Sequence, residues 1–312
     1  MGVEKIRQIA VVGAGLMGHG YAQEFALAGY HIQLHSRSEK SLQKATMNIQ
    51  RNLRMLINIG LITPQQADLV PTKIHTTTVL KDAVKDADLV IESVYEDLAL
   101  KQRIFKELDK LCPQHTILVS GTSTLPLSEL QSVTNRPDRV LLANYSNPPY
   151  LIPLVEIMRN ERTSDETVKT VYDLLTKIGK RPVIIQKEVP GFVANRLQGA
   201  LLREALWLVQ KGYVTPRDVD TIMKTGIGRR WSVAGPFEVF ELAGWDFVLA
   251  AVSYLLPYLE SSPEVPPLLK QKVEQGELGV KTGKGFYEWT PESAEALRQR
   301  IAQALARAQS ME

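Results

Sequence analysis

Gln8-Ile9-Ala10-Val11-Val12-Gly13-Ala14-Gly15-Leu16-Met17-Gly18 carries the reading of the fold. Its first five residues form a short apolar run rich in β-branched side chains, with the length and texture of a buried parallel strand. A G-x-G-x-x-G turn follows at once. Residues 19–29 then read as a helix that Gly29 ends, and residues 31–35 as a second strand. Strand, glycine turn, helix and strand within about thirty residues are the setting that a dinucleotide-binding turn requires. Gly13 supplies the tight turn, Gly15 lets a pyrophosphate approach the backbone, and Gly18 lets the helix pack on the sheet. Gly13, Gly15, Leu16, Met17 and Gly18 are therefore expected to bind a cofactor, with the helix N-terminus offering free N–H groups to the anion.

Working outward, helices are expected over residues 39–59, 62–70, 97–111 and 164–178, and strands over 88–92, 116–120, 140–143, 154–158 and 181–185. The long helical excursion between the second and third strands is an insertion in a plain doubly wound fold. After Gln186 strand signals stop. Val193, Leu197, Leu201 and Leu208 form one apolar stripe of a helix over 192–210, and further helices fit 216–225, 245–256 and 292–309. The expected fold class is α/β, an N-terminal Rossmann-type doubly wound domain (residues 1–188) followed by an all-α domain (residues 189–312).

The 312 residues are 44% hydrophobic and 23% charged, which excludes disorder as the main state. Cys112 stands alone, so neither an intramolecular disulfide nor a cysteine-based metal site is possible; no metal is expected. Basic residues exceed acidic ones by 37 to 34 and are scattered, which argues against nucleic acid as a partner. No run approaches the ~18 apolar residues of a membrane span. The expectation is a cytoplasmic protein with a small-molecule substrate.

The end of the second strand bears on the choice of nicotinamide. NAD binders usually carry an acid there. This chain has His35-Ser36-Arg37-Ser38 instead. A guanidinium between two hydroxyls suits a 2′-phosphate, so Ser36, Arg37 and Ser38 point to NADP, with NAD the alternative if Arg37 is a solvated loop residue.

Five motifs in order give the chain a resemblance to the 3-hydroxyacyl-CoA dehydrogenase superfamily: the glycine turn, Ser120-Gly121-Thr122-Ser123, Asn147-Pro148-Pro149-Tyr150 continuing to Glu156, Val189-Pro190-Gly191-Phe192 continuing to Arg196, and Lys281-Thr282-Gly283-Lys284-Gly285-Phe286-Tyr287. The likeness covers nearly all of residues 6–290 and is strongest to short members such as lambda-crystallin, carnitine dehydrogenase and the pyridoxine-catabolic dehydrogenase. It implies hydride transfer between a nicotinamide and carbon 3 of a 3-hydroxy acid or thioester, with the helical domain as a homodimer interface. It implies that Ser123 contacts the substrate hydroxyl, that Asn195 helps hold the substrate oxygen, and that Asn147 lies near the nicotinamide. Glu96, Lys101 and Lys281 match cofactor contacts. Taken without the resemblance, Ser123 is a common turn or cap residue, Asn195 a cap or interhelix hydrogen bonder, and Lys281 part of a solvated turn.

The chain departs from the family at its catalytic pair. The orienting glutamate matches Glu156, a carboxylate in an apolar strand that is costly to bury unpartnered. The general-base histidine's place is taken by Asn144, and all five histidines lie before residue 116. An amide cannot take a proton from an alcohol near neutrality. Three explanations stand: another group, Tyr145 or a water held by Glu156, handles the proton; the substrate is an imine that brings its own, making this an NADPH-dependent imine reductase; or the chain is a catalytically impaired binding or structural homologue.

Overall fold

The computed structural model describes residues 2–309, Gln309 by its backbone alone. Eight strands form one sheet in the order β3-β2-β1-β4-β5-β6-β7-β8. They are β1 (Gln8–Val12), β2 (His31–His35), β3 (Ile74–Thr77), β4 (Leu89–Glu92), β5 (Ile117–Ser120), β6 (Val140–Tyr145), β7 (Leu154–Met158) and β8 (Arg181–Ile185). The first six run parallel; β7 is antiparallel to β6 and parallel to β8. Strand order reverses between β1 and β4, which places the ligand crevice of a doubly wound sheet at their carboxyl ends.

Seven helices connect the strands: α1 (Gly18–Leu27), α2 (Glu39–Asn58), α3 (Pro64–Lys73), α4 (Leu80–Val84), α5 (Leu98–Leu111), α6 (Leu127–Gln131) and α7 (Asp165–Lys177). Alternation along each strand feeds two cores, Ile9, Val11, Leu34 and Ile91 on one face and Ala10, Val12, Val90 and Leu142 on the other. The insertion is an α2–α3 hairpin. Thr63 starts α3 with a capping box, its hydroxyl accepting from Gln66 N at 3.2 Å and its own N–H donating to Gln66 Oε1 at 2.9 Å.

Two compact units emerge. One runs to Val193 and takes up the chain again from Gln299; the other is Ala194–Arg298. The second is helical: α8 (Phe192–Gln210), which begins in the first unit, then α9 (Pro216–Ile222), α10 (Gly228–Trp231), α11 (Pro236–Glu241), α12 (Trp245–Leu255) and α13 (Pro267–Glu274). The final helix, α14 (Pro291–Gln309), ends in the first unit, where Ala302 packs with Leu56 and Leu151. The expected division after residue 188 carries no such return; residues 310–312 of the expected second domain lie outside the described residues. No helix among the described residues is long and apolar enough to cross a membrane.

Candidate active site

The glycine turn joins β1 to α1 at the crevice. Gly13 adopts φ +112°, and a Cβ there would lie 2.3 Å from Ser93 O, the backbone leaving β4. A Cβ on Gly18 would lie 1.7 Å from Gly13 O. Both positions need glycine for packing. Gly15 differs: a Cβ there would meet nothing within 4 Å, so its backbone faces open space. That cradle, at the N-terminus of a ten-residue helix, fits the pyrophosphate of a dinucleotide. His19 holds the turn from behind, its Nδ1 2.7 Å from Gly15 O, and burial keeps its imidazole pKa below the usual value.

At the end of β2, Gly13 N donates to His35 O at 2.9 Å, tying the strand to the turn. Arg37 is exposed and makes no hydrogen bond or ion pair among the described residues. Ser36 is half-buried. Ser38, read from sequence as one of two hydroxyls for a 2′-phosphate, caps α2 instead. Its Oγ accepts from Ser41 N at 3.3 Å and donates to Ser41 Oγ at 3.0 Å.

A carboxylate cluster organises the next two strand ends. Glu92, fully buried at the end of β4, accepts from Lys101 Nζ at 2.7 Å, Val94 N at 2.6 Å and Ser120 Oγ at 2.6 Å. Lys101, 1% exposed, also pairs with Glu96 Oε2 at 3.3 Å. Lys101, expected as a cofactor contact, turns its ammonium inward onto these two carboxylates. Glu96 in turn gathers the segment carrying Ser123. Its Oε1 accepts from Thr122 Oγ1, from Thr124 Oγ1 at 2.8 Å, and from the N–H groups of Ser123 and Thr124 at 3.2 Å each. Partial burial pushes the Glu96 carboxyl up, but the two threonine hydroxyls and the Lys101 ammonium outweigh it and hold it below the usual range. Ser123 is half-buried, three residues beyond the end of β5.

Asn144 and Glu156 stand directly opposite in the β6–β7 ladder, and Asn144 Nδ2 donates to Glu156 Oε2 at 3.1 Å. Glu156 is 3% exposed, and its Oε1 accepts from Val193 N at 2.8 Å. That bond anchors the first turn of α8. The chain reaches it through Gly191 (φ +82°) and Phe192 (φ +57°), whose buried ring packs in the same core as Leu142 and Met158. Asn144 and Tyr145 lie beyond the carboxyl end of β5, since its last residue, Ser120, pairs with Leu142.

Tyr145 is ruled out as the proton-handling group. Successive strand residues face opposite sides, and Tyr145 lies in the other core, 5% exposed, with its ring 4.6 Å from that of Tyr21. Burial raises its pKa well above the usual value. Asn147 is exposed in the loop after β6. Asn195 and Lys281 both lie in the second unit, each exposed. No group of three or more His, Cys, Asp and Glu suited to a metal occurs among the described residues.

The sequence reading missed Glu92, Thr122, Thr124 and Gly20. Glu92 carried a signal, a carboxylate ending an otherwise apolar strand, the same signal that singled out Glu156. Gly20 lies two residues past Gly18, and a Cβ on it would meet Pro149 Cγ at 2.5 Å.

The family models for the 3-hydroxyacyl-CoA dehydrogenase NAD binding domain and C-terminal domain match residues 8–189 and 191–289. The chain belongs to the 3-hydroxyacyl-CoA dehydrogenase family. It is 36% identical over 300 residues, 96% of each chain, to 5-formyl-3-hydroxy-2-methylpyridine 4-carboxylate 5-dehydrogenase of Mesorhizobium japonicum. It is 37% identical over 286 residues to a probable 3-hydroxybutyryl-CoA dehydrogenase of Bacillus subtilis, covering 91% of this chain and 98% of that one. A solved structure of a 5-formyl-3-hydroxy-2-methylpyridine 4-carboxylic acid 5-dehydrogenase, an NAD+-dependent dismutase, superposes with a TM-score of 0.91 at 35% identity over 98% of both chains. This member of the family is thus a dehydrogenase with a Rossmann-type unit that matches an NAD binding domain and a helical unit.

Proposed function

We propose that this dehydrogenase transfers hydride between NADP(H) and carbon 3 of a 3-hydroxy or 3-keto acid or derivative, working best in the reducing direction. The observation that carries this reading is the Asn144 Nδ2–Glu156 Oε2 bond of 3.1 Å. The carboxylate takes one N–H of the amide and orients the group, leaving a second N–H and Oδ1 with no other partner among the described residues. Such a group donates a hydrogen bond to a carbonyl but does not deprotonate an alcohol. The bound nicotinamide supplies the hydride; Ser123 and Asn195 are the proposed partners of the substrate oxygen, and Asn147, Glu96 and Lys281 of the cofactor. The missing base favours one second reading, an imine substrate whose nitrogen already carries the proton.

Following NADPH absorbance with 3-keto acids, 3-keto esters and cyclic imines tests this. Turnover on the keto compounds is the expected result. Turnover on imines alone moves the reaction to the second reading, and silence with cofactor bound marks a binding or structural homologue.

Arg37 supports the NADP preference: it is an exposed, unpaired guanidinium where NAD binders usually carry an acid. Arg37→Glu is expected to raise KM for NADPH by about 10–100-fold, the worth of a charge-assisted hydrogen bond of about 1.5–3 kcal/mol, and to improve NADH. A native enzyme with lower KM for NADH than for NADPH overturns the preference. A homodimer through the helical unit is proposed from its exposed apolar side chains, among them Phe237 at 76% and Leu242 at 89%. A cytoplasmic setting accords with the single, buried, free Cys112.

A further inference from the structure

Behind the loop that carries Asn147 lies a charged pair that none of the motifs accounts for. Glu24 on α1 and Lys180 in the turn before β8 form an ion pair, their side chains 11% and 6% exposed. Lys180 Nζ also donates to Pro149 O and, at 3.3 Å, to Ile152 O. These two carbonyls lie within the loop of residues 146–153 between β6 and β7. The loop also sits directly on α1, because Gly20 has no Cβ to displace Pro149. Within it, Leu151 is buried and packs with Leu56 and Ala302. Four elements, α1, α2, α14 and the turn before β8, thus press on one short segment, and a single ammonium group joins the turn to α1.

We propose that Glu24 and Lys180 are positioning residues for the loop of residues 146–153, setting where Asn147 stands. This rests on the reading of that loop as the nicotinamide side of the site. A surface location would make such a pair worth little. Here the ammonium is buried, so its hold on the two carbonyls depends on the counter-charge of Glu24.

The carboxylate is itself poorly satisfied. Its Oε2 is buried with no hydrogen-bond partner among the described residues. Burial raises its pKa to about 7, against the opposing pull of Lys180. The groups facing it are Lys180, Tyr21 on its own helix and Tyr145 on β6; Tyr150 of the loop, which feels Arg51 of α2, and Arg181 line the same cavity or its edge. That cavity, about 510 Å³, also reaches Glu24 and gives protons a path to it. Burial thus favours the neutral acid, and Glu24 loses its charge as pH falls through the neutral range.

The sign separates a local clamp from general stability. A carboxyl whose folded pKa is raised contributes stability that is fully present below its unfolded value and lost as pH rises through the folded one. Global stability from Glu24 thus falls between the usual carboxylate range and about pH 7. The clamp runs the other way, because Lys180 keeps its counter-charge only above pH 7.

Hydrogen exchange of loop amides in the full-length protein tests this without any need for turnover. After correction for intrinsic rates, the amides of Leu151 and Ile152, which both donate to Pro148 O, are expected to exchange about fivefold faster at pH 6 than at pH 8, as the buried ammonium loses its counter-charge. Those of β5 should not follow. Glu24→Gln should remove the pH step and leave the loop at the faster rate, with KM for NADPH raised at both pH values. Should that variant fail to fold, the native profile alone decides. Loop exchange that is flat with pH, or that tracks β5, overturns the clamp. Absence of turnover on any substrate would instead overturn the oxidoreductase reading and leave the exchange result to judge the clamp.

Discussion

Asn144→His is expected to raise kcat/KM for oxidation of 3-hydroxy acids by about 10²–10⁴-fold, the usual contribution of a general base. The scaffold for a histidine is already present. Position 144 faces Glu156 across the β6–β7 ladder, and the carboxylate is buried and held by Val193 N. An imidazole there would donate one N–H to Glu156, which sets its tautomer and leaves the other nitrogen as base. The base works only when deprotonated, so the variant's rate should climb as pH rises through the imidazole range and then level. The native enzyme should show no such rise. Adding Glu156→Gln to Asn144→His should remove most of the gain. A variant with unchanged kcat/KM at every pH between 6 and 9 would mean that Asn144 does not occupy the base position. Loss of imine reduction alongside a gain on hydroxy acids would mark the asparagine as an adaptation to the imine.

Lys101→Met is the second large effect, and it falls on stability. Its ammonium is the only cation that the described residues place against Glu92, which is 0% exposed. Removing one member of a buried pair leaves the other charge uncompensated, at a cost of about 3–5 kcal/mol. Urea denaturation reads this as a lower midpoint with unchanged slope. Combining Lys101→Met with Glu92→Gln should restore most of the loss, since the buried charge is then gone. The pair also connects to the site. Lys101 reaches Glu96, and Glu96 collects the hydroxyls and N–H groups of residues 122–124. Weaker NADPH binding should therefore accompany the lost stability. A cost below about 1 kcal/mol would show that the pair behaves as a solvated one.

How far the sequence could be read depended on where each element sits in the sheet. Strands covered on both faces need continuous apolar runs, so β1, β2 and β7 were legible to the residue and β4, β5 and β6 to within two; β8 lies at an edge of the sheet but was legible through the apolar run Pro182-Val183-Ile184-Ile185. β3, at the other edge, escaped because Ile74-His75-Thr76-Thr77 is mostly polar, buried at neither end, and shows no apolar run. Short helices such as α6, α11 and α13 offered too few turns to display a period. The glycine turn was readable because close packing admits only one residue type there, and Gly13 and Gly18 obey that constraint in space.

The site divided along the same line. Chemistry that depends on residue type alone was visible: an amide at 144, an acid in an apolar strand at 156, a guanidinium at 37. What a side chain does once folded was not. Ser38 caps a helix, Lys101 turns inward and Tyr145 points into the opposite core; the partners Ser41 and Glu92 are near in sequence, but which contact each side chain makes is settled only when the chain folds. The sequence by itself determined a doubly wound unit with a glycine turn after its first strand, since steric and apolar constraints act on adjacent residues. Only tertiary structure decided that Asn144 meets Glu156 and that Lys180 meets the loop before β7, because register across strands and packing between remote elements bring those atoms within hydrogen-bonding reach.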